Sequence, residues 1–528
     1  MVSVRVLPFG DRALLAEVGS LDEVTALQAA LAATRPDGVR DLVPAARTVL
    51  VRVDPSVLPL AAAQPWIART AATTDAAAPR AEGPEVELPI RYDGPDLAAT
   101  AALLGISVDA LVARHAAARW MVAFTGFAPG FGYLVSADWP FDVPRLDVPR
   151  TRVPAGAVGL AAGFTGAYPR ATPGGWRLIG ATDAVLFDPD AAAPALLAPG
   201  TRVRFRAAPA RAVAAAPTAS ADPAPGAGTG APSSSPARSA ALEILEPGLL
   251  ATVQDLGRPG RAALGVAPSG ALDRGALRTA NRLVGNREDA AAVEVTVGGL
   301  RAVAREDLWF AVTGAWGEIR VDGRVIDPYE AHAWPAGAEL GLDAFAHGVR
   351  AYLAVRGGID VPAAVGSRST DVLAGLGPAP LRAGSVLAAG DAAAAAVPPA
   401  GVAPWGAPRD DDVEVELAPG PRADRFVPAA TRTLFESTWT VSAQADRVGI
   451  RLDGPELVRA VADELPSEGM VPGALQVPPS GRPTVLLADG PVTGGYPVIA
   501  VVADGSLDRL AQARPGTRIR FRHARSAR

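Results

Sequence analysis

The sequence predicts a mainly β protein that begins with a small α/β domain. After residue 118 helix signals become sparse, and short runs rich in Val, Leu and Phe alternate with Gly/Pro turns as far as Arg206. The same pattern resumes over residues 242–522. This spacing favours β-barrels over packed parallel sheets.

An internal repeat supports this fold class, because each half of the chain closes with similar motifs. TGAYP at 165–169 is followed by PGTRVRFR at 199–206, and TGGYP at 493–497 is followed by PGTRIRFR at 515–522. In both closing segments apolar residues alternate with arginine, as in a strand that buries one face. The repeat therefore indicates a shared architecture and by itself no chemistry.

Local periodicity predicts the individual elements, because alternation is typical of strands and a 3.6-residue period of helices. The expected strands and helices near the N-terminus are strands at 3–7, 13–18 and 86–90 and helices at 21–33, 96–104 and 107–118. Asp96 and Ser107 are the predicted N-caps of the last two helices. In the second half helices are expected only at 274–283 and 455–464.

The length of 528 residues indicates roughly three or four domains. The clearest boundary is the segment 207–240, built almost wholly from Ala, Pro, Gly, Ser and Thr, which buries too little surface to offset its ordering entropy. Softer boundaries are expected in the Ala- and Pro-rich segments 61–83 and 391–412. The expected division is an α/β domain at 1–80, a β unit at 84–206, a disordered linker at 207–240, and β units at 241–395 and 411–523.

The basic residues constrain the chemistry, because all 50 of them are arginine and the chain has no cysteine. Lysine Schiff bases, Walker-type lysines, biotinyl-lysine, cysteine nucleophiles and thiolate metal sites are therefore excluded. The four histidines show no metal-ligand spacing, so no protein-held metal is expected. A net charge of -5 gives no basic field for nucleic acid. Because no strongly apolar stretch of about 20 residues occurs, a cytoplasmic protein without membrane contact is expected.

The first half carries a dense and specific motif, FTGFAPGFGYL at 124–134. It resembles the GFxPGFxYL signature of the allophanate-hydrolase subunit 1 family, also called carboxyltransferase subdomains C and D or the B-type subunit of 5-oxoprolinase. Neighbouring motifs agree with this resemblance: PDL at 95–97, His115, PR at 144–145 and at 149–150, VPAG at 153–156, YP at 168–169 and PGGW at 173–176.

The second half resembles the partner family, called allophanate-hydrolase subunit 2, carboxyltransferase subdomains A and B or the C-type subunit of 5-oxoprolinase. The motifs that carry this resemblance are TVQDLGR at 252–258, PSGALD at 268–273, RGGI at 356–359, GSRST at 366–370, QADRVG at 444–449 and SEGMVPG at 467–473. Together the two resemblances span the chain except for the linker.

The resemblance implies cyclophilin-like β-barrels, one in the first half and two in the second. It also implies an ATP-dependent 5-oxoprolinase, which hydrolyses the lactam 5-oxoproline to glutamate together with a separate A-type subunit. ATP would arrive with its own Mg²⁺, and a homo-oligomer is possible. The alternatives are a biotin-dependent carboxyltransferase acting on a urea-like amide, with biotin supplied by a partner chain, and a regulatory module that binds a histidine kinase.

Four residues are candidates for acid–base chemistry at an amide: Glu468, His115, Asp255 and Asp489. Glu468 is the first choice among them. His115 ends a predicted helix, so it alternatively complements the helix dipole.

The signature loop is the first candidate for binding, because glycine allows backbone N–H groups to approach a ligand closely. The alternative is a tight turn with Phe127 and Phe131 in the core. The candidates in the first half are Gly126, Phe127, Gly130, Phe131, Arg145, Arg150, Thr165, Tyr168, Gly174 and Gly175. Arg145 and Arg150 are interpreted as anion clamps.

In the second half the binding candidates are polar residues in the family motifs. They are Gln254, Arg258, Ser269, Asp273, Ser367, Arg368, Ser369, Gln444, Arg447, Thr493 and Tyr496. Ser367, Arg368 and Ser369 would hold a ligand carboxylate, and Asp273 alternatively caps the helix that follows it.

The chain departs from the family pattern at three places, and at one of them Ala379–Pro380 replaces the usual Gly-Arg pair. Phe164 and the pair Gly490–Pro491 stand where the two families usually carry glutamine. If those glutamines orient the substrate, a different ligand or a weaker activity is expected.

Overall fold

The computed structural model describes residues 1–76, 83–209, 240–398, 406–463 and 465–525. The predicted fold class, mainly β with a small α/β domain at the N-terminus, is confirmed. The N-terminal unit consists of β1 (Arg5–Pro8), β2 (Ala13–Glu17), α1 (Leu21–Ala33), β3 (Val39–Pro44), β4 (Thr48–Val53) and α2 (Leu60–Thr73). Its antiparallel sheet has the order β1-β2-β4-β3, and both helices bury apolar residues in one core with it.

The expected domain boundary at 61–83 is corrected, because helix α2 occupies much of it. The Ala-rich segment that begins at residue 61 forms a helix because Ala63, Ile67 and Ala71 lie on one face and are buried in this core. Residues 77–82, at the end of the same expected boundary, lie outside the described ranges.

The next unit is built around a seven-stranded sheet. Its elements are β5 (Glu85–Ile90), α3 (Leu97–Leu103), α4 (Val108–Ala117), β6 (Trp120–Thr125), β7 (Gly132–Val135), β8 (Arg150–Val153), β9 (Ala157–Ala161), β10 (Phe164–Ala167), β11 (Thr172–Gly174), β12 (Arg177–Ala181) and β13 (Arg202–Ala207). The order is β12-β9-β10-β7-β6-β13-β5. A bridge between Arg91 and Ala181 joins the two edge strands, so the sheet curls into a nearly closed barrel.

Of the two predicted helix caps, one is confirmed and one is wrong. The Ser107 hydroxyl accepts from the Ala110 N–H at the start of α4. The Asp96 side chain makes no cap bond to α3, because its carboxylate accepts from Arg150 Nη2 at 2.7 Å and from the Leu178 N–H at 2.7 Å.

The third unit encloses one hydrophobic core between two sheets. Its elements are β14 (Ala240–Pro247), β15 (Leu250–Gln254), α5 (Arg274–Leu283), β16 (Ala292–Thr296), β17 (Leu300–Ala304), β18 (Leu308–Trp316), β19 (Ile319–Val321), β20 (Arg324–Ile326), β21 (His332–Trp334), β22 (Glu339–Leu342), β23 (His347–Val355), β24 (Ile359–Asp360) and β25 (Val386–Ala389). The sheets have the orders β20-β19-β22-β17-β14-β25-β24 and β15-β16-β23-β18-β21.

The last unit is a closed barrel of seven strands in the order β26-β33-β30-β31-β28-β27-β34. Its elements are β26 (Asp412–Pro419), α6 (Pro428–Glu436), β27 (Thr438–Ala445), β28 (Gly449–Asp453), β29 (Glu468–Gly469), β30 (Ala474–Gln476), β31 (Thr484–Leu486), β32 (Thr493–Gly494), β33 (Val498–Val502), α7 (Asp504–Leu510) and β34 (Arg518–His523). The short strands β29 and β32 pair with each other beside the barrel.

The internal repeat corresponds to the same strand position in both barrels. β13 pairs in parallel with β5 in the first barrel, and β34 pairs in parallel with β26 in the last. In each repeat strand two apolar residues are buried and the intervening arginines are not, Val203 and Phe205 in β13 and Ile519 and Phe521 in β34.

The prediction of a helix at 455–464 is wrong. The structure instead contains two helices that the sequence did not predict, α6 and α7. Leu457 and Ala460 donate their backbone N–H groups to Gly481 and Arg425, so this segment bonds to other loops instead of to itself. Helix α5 is confirmed as Arg274–Leu283. Residue 464 lies outside the described ranges, as does almost all of the expected linker, residues 210–239.

Within the described ranges no single helix combines the length and apolarity needed to cross a membrane. The bent pair Leu97–Leu103 and Val108–Ala117 passes that test by length and composition only.

The N-terminal sheet packs against the last barrel. One hydrophobic cluster contains Leu15 and Leu50 from the sheet together with Met470 and Val501 from the barrel. Backbone bonds follow the same interface, from the Gly10 N–H to the Pro419 carbonyl at 2.9 Å and from the Ala46 N–H to the Ser467 carbonyl at 3.2 Å. The two halves of the chain therefore dock on each other within one molecule.

Candidate functional site

The signature loop 126–131 turns sharply between β6 and β7. Phe127 adopts a φ of 67° and Gly130 a φ of 75°. Every backbone N–H group of the loop donates a hydrogen bond. The acceptors of Gly126, Ala128 and Phe131 lie within the loop, and those of Phe127 and Gly130 lie in the second half of the chain. The interpretation of this loop as a cradle of free N–H groups is therefore corrected. Phe131 is buried, as the alternative expected, while Phe127 is 36% exposed.

The signature loop joins the two halves of the chain, because two of its backbone N–H groups donate to residues of the second half. The Phe127 N–H donates to Thr493 Oγ1 at 2.8 Å, and the Gly130 N–H donates to the Leu264 carbonyl at 2.9 Å. A Cβ atom added at Gly126 would lie 2.4 Å from Thr493 Oγ1, so glycine is required at position 126 as long as threonine occupies position 493. The family motif of the first half thus meets the closing repeat of the second.

Glu468 lies one strand away from this contact, because β29 pairs with β32 in the register Gly469 to Thr493. We call the loop 126–131 with β29 and β32 the signature junction. The buried Arg422 donates from Nε to both carboxylate oxygens of Glu468, at 2.9 and 3.1 Å, and from Nη2 to Glu17 Oε1 at 2.8 Å. The ion pair therefore links the last barrel to the N-terminal sheet.

Glu468 lines a cavity of about 160 Å³ together with Arg47, Arg425 and Ser467. Burial raises the pKa of Glu468, although the neighbouring Arg422 opposes this effect. A buried carboxyl with a raised pKa is a candidate for proton transfer to a ligand.

Aromatic side chains pack behind the signature loop. Phe131 lies within 5.0 to 5.3 Å of Tyr168, Tyr133 and Trp176, measured between ring centroids. The Tyr133 side chain hydrogen-bonds Ser467, and burial raises its pKa. Through Tyr133 this aromatic group reaches the residue that precedes β29.

The remaining first-half candidates surround this aromatic group. A Cβ at Gly174 would lie 2.6 Å from the Tyr168 hydroxyl, and Gly175 lies next to Pro149. Arg150 is paired with Asp96, whereas Arg145 is exposed. Arg145 thus remains available as an anion clamp, and the corresponding prediction for Arg150 is corrected because its guanidinium already holds a carboxylate.

The acid–base role predicted for His115 is also corrected. It is fully buried, its Nδ1 lies 2.8 Å from the Tyr92 hydroxyl, and its Nε2 lies 2.9 Å from Thr165 Oγ1. Burial lowers the pKa of His115 to about 3. An imidazole that stays neutral and sealed in the core neither complements the dipole of α4 nor exchanges protons with a ligand, and Thr165 serves as its partner.

Arg447 is the centre of a buried ion cluster between the third unit and the last barrel. It bonds Asp489 through Nε at 3.0 Å and Nη2 at 3.0 Å, and Glu294 through Nη1 at 2.5 Å. Ser269 Oγ also donates to Asp489 Oδ1 at 2.7 Å. The predicted residues Arg447, Asp489 and Ser269 are thus brought together, and their partners are other protein groups.

Asp255 organises the GSRST segment. Its Oδ1 accepts from Ser367 Oγ at 2.6 Å and from Ser369 Oγ at 2.5 Å, and its Oδ2 accepts from the Arg368 N–H at 2.7 Å. The hydroxyls predicted to bind a ligand carboxylate therefore bind a carboxylate of the protein itself. Arg258 donates to the Ser369 carbonyl from within the same buried group.

Of the other candidates in the second half, Gln254 and Asp273 bond backbone groups of the protein, whereas Gln444 and Tyr496 line an open pocket. Gln254 Nε2 donates to the Thr370 carbonyl at 3.0 Å. Asp273 accepts from the Ala276 N–H at 2.9 Å, as the helix-cap alternative expected, and burial raises its pKa to about 6. Gln444 and Tyr496 line a pocket of about 680 Å³ on the last barrel.

Sequence reasoning missed the partners of these buried charges. Glu294 interrupts the apolar strand β16, and a charge at such a position is the signal that could have identified it. Arg422 follows a Gly–Pro pair with no comparable signal. In the described ranges no three His, Asp or Glu side chains are grouped in a way that could hold a metal ion.

Comparisons with known proteins agree with the division into halves. The model described as carboxyltransferase domain, subdomain C and D, matches residues 4–197, and that of subdomain A and B matches residues 264–523. The fold and these matches define a carboxyltransferase-domain protein.

Three relatives place the chain within this class. The C subunit of 5-oxoprolinase from Escherichia coli K12 is 40% identical over 285 residues, which cover 53% of this chain and 90% of that relative. The B subunit of 5-oxoprolinase from Escherichia coli O157:H7 is 49% identical over 123 residues, covering 23% of this chain and 56% of the relative. The crystal structure of TTHA0988 is 37% identical with a TM-score of 0.82, covering 99% of this chain and 100% of that one. The chain belongs to the carboxyltransferase-domain family that includes the subunits of 5-oxoprolinase, and it joins a B-like half and a C-like half.

Proposed function

We propose that the chain supplies the joined B and C subunits of an ATP-dependent 5-oxoprolinase, which hydrolyses 5-oxoproline to glutamate together with an A-type partner. The observation that carries the proposal is the signature junction, where the loop of the B-like half bonds Thr493 of the C-like half. A site shared by two subunits explains why fusion would be tolerated, because each half contributes one wall. The names of the relatives, which are the B and C subunits of 5-oxoprolinase, support the same assignment.

We propose Glu468 as the acid–base group of this site. It is buried at the junction with a raised pKa, and Arg422 fixes the orientation of its carboxylate. Opening a lactam requires proton transfer to the leaving nitrogen, which a positioned carboxyl can supply. Arg47 and Arg425 in the adjacent cavity would attract an anionic substrate.

ATP is proposed as a co-substrate of the complex, with Mg²⁺ carried by the nucleotide. The signature loop does not fit the phosphates, since each of its N–H donors is already bonded to protein. The chain also has no lysine to reach them. The phosphate-binding groups are therefore proposed to lie on the A-type partner.

The central experiment combines the purified chain, the A-type partner, ATP and 5-oxoproline. We expect ADP and glutamate to appear in equal amounts, and only when all four components are present. Omitting each component in turn provides the controls. If the partner binds stoichiometrically but ADP release does not respond to the lactam, the proposal fails.

A second candidate function is a biotin-dependent carboxyltransferase, favoured by the description of the two matching family models. Because the chain has no lysine, biotin would have to arrive on another protein. Avidin capture from native extract distinguishes the candidates: recovery of the chain with a biotinylated companion supports the carboxyltransferase, and its absence from the captured fraction supports the oxoprolinase.

A further inference from the structure

The last barrel carries an open pocket of about 680 Å³ that the proposed reaction does not use, and we call it the barrel pocket. It lies over the outer face of β28 and β31, whose register places Arg451 opposite Thr484. Two residues further along β28, Asp453 accepts from Arg482 Nη1 at 3.3 Å, just before β31 begins. Arg451 and Arg482 are therefore diagonal neighbours on one face of an antiparallel pair, a relation that separates Cα atoms by roughly 7–8 Å.

These two arginines give the barrel pocket a positive charge, because Asp453 is the one acidic residue among the described residues that line it. Within the described part of the chain Arg451 has no ion pair. Its Nη1 donates to Gln444 Oε1, and its Nε and Nη2 make no hydrogen bond there. The pair between Arg482 and Asp453 is exposed, at 60% and 55% of the two side chains, and such a pair contributes little to stability. Both guanidinium groups are therefore available to carboxylates of a ligand.

Gln476 adds an unused hydrogen-bond acceptor to the barrel pocket. It lines the pocket but is only 7% exposed. Its Nε2 donates to the Met470 sulfur at 3.3 Å, a weak acceptor, and its Oε1 accepts no hydrogen bond from any residue that the structure describes. Because a buried carbonyl without a donor is costly, an N–H group of a ligand is favoured here. A Cβ atom at Gly494 would lie 2.7 Å from Gln476 Nε2, so this side of the pocket touches β32 of the signature junction.

An extended peptide with two acidic residues matches these groups. In an extended chain residues two positions apart share one face and are roughly 6.6 Å apart, which is close to the separation of the diagonal arginines. Its backbone carries N–H groups that can donate to Gln476. The ring of Tyr496, which is 48% exposed, offers a surface on which the hydrocarbon part of a side chain can pack. A pocket of about 680 Å³ is in the size range that admits drug-sized ligands, and so it admits several residues.

The linker of this chain does not match the barrel pocket, because residues 207–240 contain one acidic residue, Asp222, and two arginines. We propose that the barrel pocket binds an extended acidic segment of another protein, in which two acidic residues stand two positions apart. One carboxylate pairs with Arg451 and the other with Arg482, while a backbone N–H group donates to Gln476 Oε1. The inference does not depend on the proposed reaction, because its test measures binding alone.

The test is calorimetric titration of the full chain with the blocked peptide Ala-Glu-Ala-Glu-Ala. The spacing control is Ala-Glu-Glu-Ala-Ala, which has the same charge and composition, and the neutral control carries glutamine at both glutamate positions. We expect the first peptide to bind, and each control to bind at least about tenfold more weakly, since each loses one or both charged pairs. Equal binding of the spacing control would contradict the diagonal geometry, and equal binding of the neutral control would contradict the role of charge. The proposal is overturned if the first peptide does not bind, or if free glutamate binds as tightly, because the occupant would then be a small acid.

Substitutions on the same barrel locate the site. Arg451→Gln and Arg482→Gln should each weaken binding of the first peptide at least about tenfold. Arg522→Gln should leave the affinity unchanged, because Arg522 lies on β34 in an exposed pair with Glu414 and does not line the pocket. The three arginines are exposed, so all three variants are expected to fold. Unchanged affinity in both Arg451→Gln and Arg482→Gln, or an equal loss in Arg522→Gln, would contradict the assignment.

Discussion

Replacing Glu468 with glutamine should lower lactam-dependent ADP release by about 10²–10⁴-fold, the usual contribution of a general acid or base. Glutamine keeps the size of the side chain and an oxygen that can accept from Arg422, but it cannot give or take a proton. Because Glu17 also pairs with Arg422, the buried guanidinium retains a counter-charge in this variant. The measurement is steady-state turnover with the A-type partner, with kcat and KM determined separately.

Glu17→Gln is the matched control for this experiment. It alters the same ion pair with Arg422 but from a side chain that is 30% exposed. We expect this variant to keep turnover within a few-fold of the unmodified chain, with similar unfolding midpoints for both variants. Turnover by Glu468→Gln within threefold of the unmodified chain would remove Glu468 from the chemistry.

Replacing Arg447 with leucine should lower the free energy of unfolding by about 3–5 kcal/mol, because it leaves buried carboxylates without their partner. Glu294 and Asp489 are at most 1% exposed, and both depend on Arg447 for their closest ion pair. Arg350 lies 3.9 Å from Glu294 and is too distant to replace it. Urea unfolding followed by circular dichroism measures the effect.

Arg482→Leu on the same barrel is the control, because its pair with Asp453 is exposed. Such pairs contribute about 0–1 kcal/mol. Neutralising Glu294 and Asp489 together with Arg447 should restore part of the lost stability, because the buried charges then disappear. Equal effects of Arg447→Leu and Arg482→Leu would show that the buried cluster does not hold the two units together.

The sequence was sufficient for the fold class and for features that depend on local pattern. Alternation identified the one-sided strands β13 and β34, and the repeat correctly indicated that both occupy the same place in two barrels. Ser107 was recognisable as a cap because it precedes the helix that it caps. These features depend on residues close together in the chain.

The errors arise where distant partners override local preference. Asp96 has the position of a cap, but Arg150 and the Leu178 N–H hold its carboxylate. The glycines of the signature loop suggested a cradle for a ligand, but Thr493, hundreds of residues away, takes the Phe127 N–H. No local signal reports such pairing, because it is determined when the two halves dock.

Resemblance to a family can select residues that touch in the fold without showing that they do. Arg447, Asp489 and Ser269 come from three separate motifs, and resemblance to a family selected all three without showing that they touch. Their unselected partner Glu294 completes the ion cluster. Motifs therefore identified members of the buried network, whose side chains bind one another. They also identified Glu468, which pairs with Arg422 and lines a cavity.

The central claim is that the two halves meet at the signature junction within one molecule, and the absence of cysteine from the chain allows a direct test. A Cβ at position 126 lies 3.1 Å from the Cβ of Thr493, close to the roughly 3.5–4.5 Å of a disulfide. Mild oxidation of the double variant Gly126→Cys/Thr493→Cys, followed by proteolysis and mass spectrometry, should give a cross-linked peptide pair from the monomer. The control pair Gly163→Cys/Thr493→Cys should give none, because position 163 faces open space. Free thiols at 126 and 493 after oxidation, or cross-links only between molecules, would contradict the account.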